Sequence, residues 1–370
     1  MTLVWPLVVL TLVQLGFWTL LYSGYRRVAA GKSSLGRTEP IDDPELLPQI
    51  SVVVAARNEE DRLPGLIATF DLQTHHDFEV VVVDDASEDG TATCVLEKAE
   101  SRSWLRLVAI EEPRFPRKKN ALTLGVGAAR YGLLAFTDAD CRPGPLWLER
   151  IARRHAQFDD NVLLVGFAPF TPEKGWVSRL ARYDAILNGF LAAASIGIGF
   201  PYMATGRNLS YPEALFEEAG GHSHSNESLS GDDDLFLQYV WSRRLARIVW
   251  SSDPDTFVFS RPKGSVASWL KQKRRHSSAG RYMKISVQVW SGLFVLSLVA
   301  VWLAPFLIGS AGVGLLMIWL AAHYLAVRRS VRDLSGADLL PWFPVLTLLM
   351  VVYYAVFPIS GFLFPTKEWG

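Results

Sequence analysis

Cysteine is nearly absent from this 370-residue chain, with Cys94 and Cys141 the only two. A disulfide framework is excluded, so a packed core has to supply the stability. Net charge is absent too, because 37 Lys and Arg offset 37 Asp and Glu. That balance favours neither acidic partners nor nucleic acid, and no nucleic-acid partner is expected. No internal repeat or low-complexity tract occurs, which excludes solenoids and biased tails. The most informative absence is local. Residues 3–22, 289–308, 311–327 and 339–364 contain no Asp, Glu, Lys or Arg. Each comes close to the roughly 20 apolar residues that a bilayer-crossing helix requires.

Basic residues flank these runs unevenly. Arg26, Arg27, Lys32 and Arg37 follow the first, and Lys271, Lys273, Arg274, Arg275, Arg281 and Lys284 precede the second. Arg328, Arg329 and Arg332 follow the third. The positive-inside rule puts all three clusters in the cytoplasm, with both termini and the Gly309-Ser310 turn outside. The first run has no basic residue ahead of it and no Ala-x-Ala cleavage site after it, so it reads as a retained anchor. The expected organisation is an anchor at 1–24, a cytoplasmic domain at 45–260, a basic interfacial segment at 261–284 and membrane helices at 285–370. An integral protein of the cell (inner) membrane follows. Residues 31–45 read as a linker. Pro341, Pro344 and Pro358 predict that the last span is kinked or starts late. The uncharged run 185–203 is expected not to cross, because crossing would separate the acids on either side of it. It reads as an amphipathic or interfacial element.

The domain at 45–260 alternates β-branched runs with helical stretches. Strands are expected at 49–56, 78–83, 105–110, 133–136 and 162–166, and helices at 60–72, 91–100, 120–130 and 145–158. Ser87 or Asp89 is placed to cap the second helix. This alternation predicts an α/β, doubly wound, mostly parallel sheet with its ligand site beyond the carboxyl ends of the strands. Polar residues gather at those ends: Arg57, Asn58 and Glu59 after the first strand, Asp84 and Asp85 after the second, Asp138 and Asp140 after the fourth. An acid-x-acid pair is weak evidence alone, since about four should arise by chance in such a chain. Acids ending three strands of one sheet repel one another unless a cation or donors offset them. Mg²⁺ or Mn²⁺ between carboxylates and a diphosphate would do so.

In order along the chain, these residues resemble the family 2 glycosyltransferases, inverting enzymes of the GT-A fold that use nucleotide sugars. The resemblance rests on residues 51–60 (SVVVAARNEE), 80–91 (VVVVDDASEDGT), 118–122 (KKNAL, after Arg117 where Gly is usual), and 137–140 (TDAD). Residues 206–215 (GRNLSYPEAL) resemble the acceptor-side loop. Residues 230–235 (SGDDDL) stand where the family has Glu-Asp-x-Asp-Leu, with Gly231 replacing Glu. The resemblance implies a GT-A mixed sheet, with Asp84 or Asp85, helped by Glu59, at the base and ribose. Arg57 belongs to the nucleotide loop, and Lys118 lies near the base or diphosphate. Asp138 and Asp140 hold Mn²⁺ or Mg²⁺. Asp232 is the implied base, with Asp233 as the alternative and a helix-capping role open to both. Gln272 and Arg275 resemble a Gln-x-x-Arg-Trp motif in which His276 replaces Trp, and Arg275 is suited to bidentate contact with diphosphate. The same stretch also reads as a basic interfacial helix on anionic headgroups, with Trp269 and Tyr282 as anchors. His222 and His224 read as surface-loop residues rather than metal ligands.

The implied activity moves a sugar, UDP-linked in the first place, to a hydroxyl of a membrane lipid, as in ceramide-type glucosyltransferases. A small processive polysaccharide synthase is the runner-up. A nucleotidyltransferase also needs paired carboxylates and a metal, but would release pyrophosphate. A non-catalytic nucleotide-binding membrane scaffold is a further alternative, as is a receiver-like signalling module suggested by Asp84-Asp85, which leaves Asp138, Asp140 and the acids at 230–235 unexplained.

Overall fold

The computed structural model describes residues 3–31, 46–112 and 114–363. Most of the 31–45 stretch read as a linker therefore lies outside the described residues. From the amino terminus the elements are α1 (Val4–Ala29), β1 (Ile50–Ala56), α2 (Leu63–Phe70), β2 (Phe78–Asp84), α3 (Thr91–Ala99) and β3 (Leu105–Ala109). Next come α4 (Arg117–Gly127), β4 (Leu133–Phe136), β5 (Cys141–Pro143), α5 (Trp147–His155), β6 (Val162–Val165) and α6 (Trp176–Gly197). β7 (Leu209–Pro212), α7 (Glu213–Glu218), α8 (Asp234–Arg243), β8 (Arg247–Trp250) and β9 (Val258–Ser260) follow. The chain continues through α9 (Val266–Ser277), α10 (Ile285–Ile308), α11 (Ser310–Asp333) and α12 (Phe343–Leu363).

These elements form two compact units. One comprises the chain up to Ala30, Pro172–Phe200 and the chain from Pro262 onward; the other comprises the segments up to Thr171 and Pro201–Arg261. The second unit is built on a seven-stranded mixed sheet of order β3-β2-β1-β4-β7-β6-β8, with β5 and β9 paired separately. The five expected strands are all present. β1, β2, β3 and β4 are parallel, as the alternation predicts. β7 enters antiparallel between β4 and β6, which the sequence reading had assigned to a loop. Its three leading residues, Leu209, Ser210 and Tyr211, are all buried, because a central strand is covered on both faces.

Side chains alternate across this sheet. Val52, Val54, Val80 and Val82 pack in one core with Leu66, Ile67 and Phe70 of α2, Val95 of α3, and Trp147 and Ile151 of α5. Val81 and Val83 face the opposite way, onto Ala121 of α4. The two-residue period thus gives the central strands β1 and β2 two apolar faces, and helices cover both. On the α4 side a Cβ at Gly125 would collide with Val53 and Val83, so glycine permits the close approach of helix and sheet.

The other unit is helical. α1, α10, α11 and the stretch Ala337–Val356 are the four helices, among the described residues, long and apolar enough to cross a membrane. Pro341 lies in a 3₁₀ turn at Ala337–Trp342 and α12 starts after it. The run 185–203, read as amphipathic or interfacial, proves different. α6 is buried over most of its surface, including Phe190, Ala193 and Ala194. Its lack of charge reflects close helix packing rather than a surface-lying face: Gly24 of α1 lies against Ala194, and Gly197 against Gly24. Its two ionic groups on that buried surface are paired. Arg182 makes a bidentate contact with Asp338, both distances 2.7 Å. Asp184, 1 % exposed, pairs with Lys273 of α9.

Candidate active site

The order β2-β1-β4 sets three parallel strands side by side, so their carboxyl ends share one edge. Register places Asp84 opposite Ala56, and Phe136 opposite Val53. The loops after β1 and β2 are then stitched together. Asn58 adopts φ 54° and Ala86 φ 51°, left-handed conformations that non-glycine residues hold only when surroundings compensate. The compensation is visible: the Asn58 amide donates to Ser87 Oγ at 3.0 Å, and the Glu88 amide donates to Asn58 Oδ1 at 2.8 Å. Ser87 in turn donates to Asp84. It is therefore not the cap of α3. Gly90 is the N-cap position, and Asp89, one residue before it, accepts from the Thr91 amide at 3.0 Å.

The adjacent acids after β2 have different surroundings. Asp85 is fully buried, and its Oδ2 accepts from Arg117 Nε at 2.9 Å while its carbonyl accepts from Arg117 Nη2 at 2.8 Å. Burial nevertheless pushes its carboxyl above the usual range, with Arg117 opposing. Arg117, noted in the sequence only as a departure from glycine, thus closes off Asp85. Of the expected nucleotide contacts, Glu59 holds Arg62 at 3.0 Å. Arg57 lies 3.7 Å from Glu88.

Lys118, at the start of α4, connects segments far apart in sequence. Its Nζ lies 3.0 Å from Asp138 Oδ1 and 3.1 Å from Asp232 Oδ2. Burial works against the ammonium, but Asp138 and Asp232 outweigh it and hold Lys118 well above the usual lysine range. The side chain of Asp138 remains 37 % exposed. Asp140, half-buried, has the Cys141 thiol 3.7 Å from Oδ1. No group of three or more His, Cys, Asp or Glu side chains is arranged for a metal among the described residues. A divalent ion here would need substrate oxygens to complete its shell, which suits Mg²⁺ or Mn²⁺ on a diphosphate and not a self-sufficient protein cage.

The three acids at 232–234 divide the tasks of this segment. Gly231, at φ 80°, occupies left-handed backbone just before them, which gives the replacement of the usual Glu a conformational reason. Asp233 is the N-cap of α8: Oδ1 accepts from the Asp234 amide at 2.7 Å and Oδ2 from the Gly206 amide at 2.7 Å. Asp234 Oδ1 accepts from the Ala204 amide at 2.8 Å. Burial, then the neighbouring Asp232 charge, pushes Asp233 up to about 6. Burial acts on Asp232 in the same direction, but Lys118 and His222 overcome it and keep its carboxyl well below the usual range. Titration alone would favour Asp233 as a base. Geometry favours Asp232, since both Asp233 oxygens already accept backbone hydrogen bonds.

His222 is not a surface residue as expected. It is 4 % exposed and edge-on to Phe216 and Phe236, and burial lowers its imidazole to about 3. His224 stacks on Tyr239 at 4.2 Å. Gln272 and Arg275 are half-buried on α9, in the helical unit, where Trp269 packs on Tyr353. One residue escaped sequence reasoning entirely: Lys119, 1 % exposed, whose Nζ donates to three oxygens of the 225–228 stretch. A second lysine beside Lys118 carries no signal that it is buried.

The chain is similar to known proteins in sequence and fold. Residues 51–214 match the sequence model described as Glycosyl transferase family 2. The probable glycosyltransferase YdaM of Bacillus subtilis is 24% identical over 247 residues, 64% of this chain and 56% of that protein. Glycosyltransferase AglE of Haloferax volcanii is 30% identical over 38% of this chain and 46% of its own. An undecaprenyl-phosphate 4-deoxy-4-formamido-L-arabinose transferase of Pseudomonas fluorescens is 30% identical over 40% of this chain and 43% of its own. The chain thus spans about half the length of these relatives. Among solved structures, the mannosyltransferase PcManGT of Pyrobaculum calidifontis, in complex with GDP-Man and Mn2+, superimposes with a TM-score of 0.58 at 20% identity. That likeness covers 98% of this chain and 99% of the other, and shows the GT-A fold.

Proposed function

From the premise that the chain carries a family 2 glycosyltransferase domain at 51–214, we propose that it is a membrane-bound, metal-dependent, inverting glycosyltransferase. It moves a sugar from a nucleotide sugar, UDP-linked in the first place, to a hydroxyl of a membrane lipid. The observation that carries this reading is the position of Lys118, within 3.1 Å of both Asp138 and Asp232. It brings a donor-side carboxylate and an acceptor-side carboxylate to one ammonium.

In the proposed reaction the acceptor oxygen attacks the anomeric carbon as the bond to the diphosphate oxygen breaks. One displacement gives inversion. Asp232, kept ionised by Lys118, takes the hydroxyl proton. Asp138 and Asp140 would hold Mn²⁺ or Mg²⁺, which supplies charge stabilisation to the departing diphosphate when bound. Lys118 offers donors to the same oxygens. Asp84, with Glu59 and Arg57, contributes to the nucleotide end, whereas Asp85 acts through Arg117. Gln272 and Arg275 keep the diphosphate role that the resemblance implies.

The four apolar helices support a bilayer setting and a lipid acceptor. The basic clusters beside them support a cytoplasmic catalytic domain at the cell membrane. Purified enzyme in total lipid extract, given radiolabelled UDP- or GDP-sugars with Mn²⁺ or Mg²⁺, tests the reading. Label in the organic phase with release of nucleoside diphosphate supports it. High-mass, glycosidase-sensitive polymer would replace the lipid acceptor with a growing polysaccharide, and pyrophosphate release would point to nucleotidyl transfer.

A further inference from the structure

Two consecutive lysines open α4, and the proposed reaction uses only the first. Successive residues of a helix point about 100° apart, so Lys118 and Lys119 reach different targets. Lys119 Nζ donates to the Ser225 carbonyl at 2.7 Å, to Ser225 Oγ at 3.0 Å and to the Ser228 carbonyl at 3.0 Å. An ammonium has three N–H donors, and here each has an acceptor. The group is 1 % exposed. Burying an ammonium is costly, and among its partners there is no carboxylate to offset it by direct pairing. An apolar residue would fill such a position at lower cost, unless the tether itself is needed.

The tether controls a short path. Ser225 Oγ donates to the His222 carbonyl at 3.2 Å, and Ser228 Oγ donates to the Ser230 carbonyl at 2.8 Å. Four residues beyond Ser228 the chain reaches Asp232, which Lys118 holds at 3.1 Å. The stretch 225–232 is thus fixed at both ends by neighbouring residues of one helical turn. That turn also carries the contact to Asp138.

We infer that Lys119 is a positioning residue for the acceptor side of the site, acting through 225–228 to hold Asp232 in register with Lys118 and Asp138. The inference rests on the proposed glycosyl transfer and adds to it a residue that touches neither substrate. Lys119→Met leaves the Ser228 carbonyl and Ser225 Oγ without the lysine donor, the Ser225 carbonyl keeping only the Ser228 amide, and frees the loop, while the residues at the ends of β1, β2 and β4 are unaltered.

The test measures amide hydrogen exchange and steady-state kinetics on the full-length protein. In Lys119→Met, exchange should rise within 222–231 and stay unchanged in β1, β2 and β4. The acceptor kcat/KM should fall about ten- to a hundredfold, as expected for misplaced reacting groups, with unchanged affinity for the nucleoside diphosphate. Ser225→Ala, which removes one of the three acceptors, should show the same pattern more weakly, and it serves if the methionine variant does not fold. Unaltered exchange in 222–231 would overturn the inference. So would a parallel loss of donor affinity and acceptor kinetics. Failure of the wild-type protein to glycosylate any lipid hydroxyl would instead strike the functional reading, since the exchange contrast does not depend on turnover.

Discussion

The two units treat buried charge in different ways. In the helical unit each ionic group on the buried face of α6 is matched to one partner: Arg182 to Asp338, and Asp184 to Lys273. Gln14 of α1 is likewise saturated, accepting from Trp18 and Trp319 and donating to the Phe294 carbonyl and Ser297 Oγ. In the sheet unit, Lys118 is shared between two acids, and Asp138 keeps 37 % of its side chain exposed. Asp232, Asp233 and Asp234 stand together, and of the two nearby lysines only Lys118 pairs directly with one of them, Asp232 at 3.1 Å. A helix bundle in lipid must satisfy its polar groups internally, because no water is available to do so. A site that awaits a charged ligand is different: its electrostatics are completed only on binding.

The largest effect should come from breaking the shared charge. Asp232→Asn should lower turnover by about 10²- to 10⁴-fold, the usual worth of a positioned base. Nucleoside diphosphate affinity, followed by calorimetry, should survive; full turnover would move the base elsewhere. Asp138→Ala should abolish the metal dependence of nucleotide binding. Because no group of three or more His, Cys, Asp or Glu among the described residues is arranged for a metal, Mn²⁺ should bind wild-type protein weakly until a nucleoside diphosphate is added. Equal Mn²⁺ affinity with and without nucleotide would refute a shared metal site.

The helical unit should fail in another manner. Lys273→Met leaves Asp184 buried and unpaired, and should destabilise by about 3–5 kcal/mol, the range for breaking one side of a buried ion pair. Thermal unfolding in detergent measures this. Gln14→Leu removes four hydrogen bonds but no charge, so a loss of about 1–2 kcal/mol is expected. The smallest effect depends on pH. Asp233 has a folded-state pKa of about 6, above its unfolded value of 3.8. Its contribution to stability is full below the unfolded value and is lost as pH rises through the folded one. Asp233→Asn keeps one of the two acceptor oxygens, so its melting temperature should lie below wild type by a margin that shrinks as pH rises from about 4 to 6. A constant difference across that range would show that the charge of Asp233 is not what burial acts on.

Much of this architecture could be read in advance. Strands β1, β2, β4 and β6 announce themselves as apolar runs, since each is buried along almost its whole length, whereas β3 at the sheet edge is only partly buried. The spans announce themselves by lacking charge. β7 did not, because Leu209-Ser210-Tyr211 is short and its pairing with β4 and β6 is non-local. α6 was misread for a related reason: absence of charge is shared by helices that meet lipid and helices that meet other helices. His222 looked like a loop residue because nothing local reports its burial between Phe216 and Phe236.

The site shows the same division. The sequence by itself determined the acids at the strand ends, the apolar spans and the family they resemble, because these depend on local pattern and on ordered motifs. Only the tertiary structure decided which partner each acid takes. It gave Asp233 to the helix cap, Asp85 to Arg117, and Asp232 to Lys118, and it buried Lys119 against a loop more than a hundred residues away. Adjacent residues of identical type cannot be distinguished by composition or spacing. Their roles separate only when the fold supplies each with different neighbours.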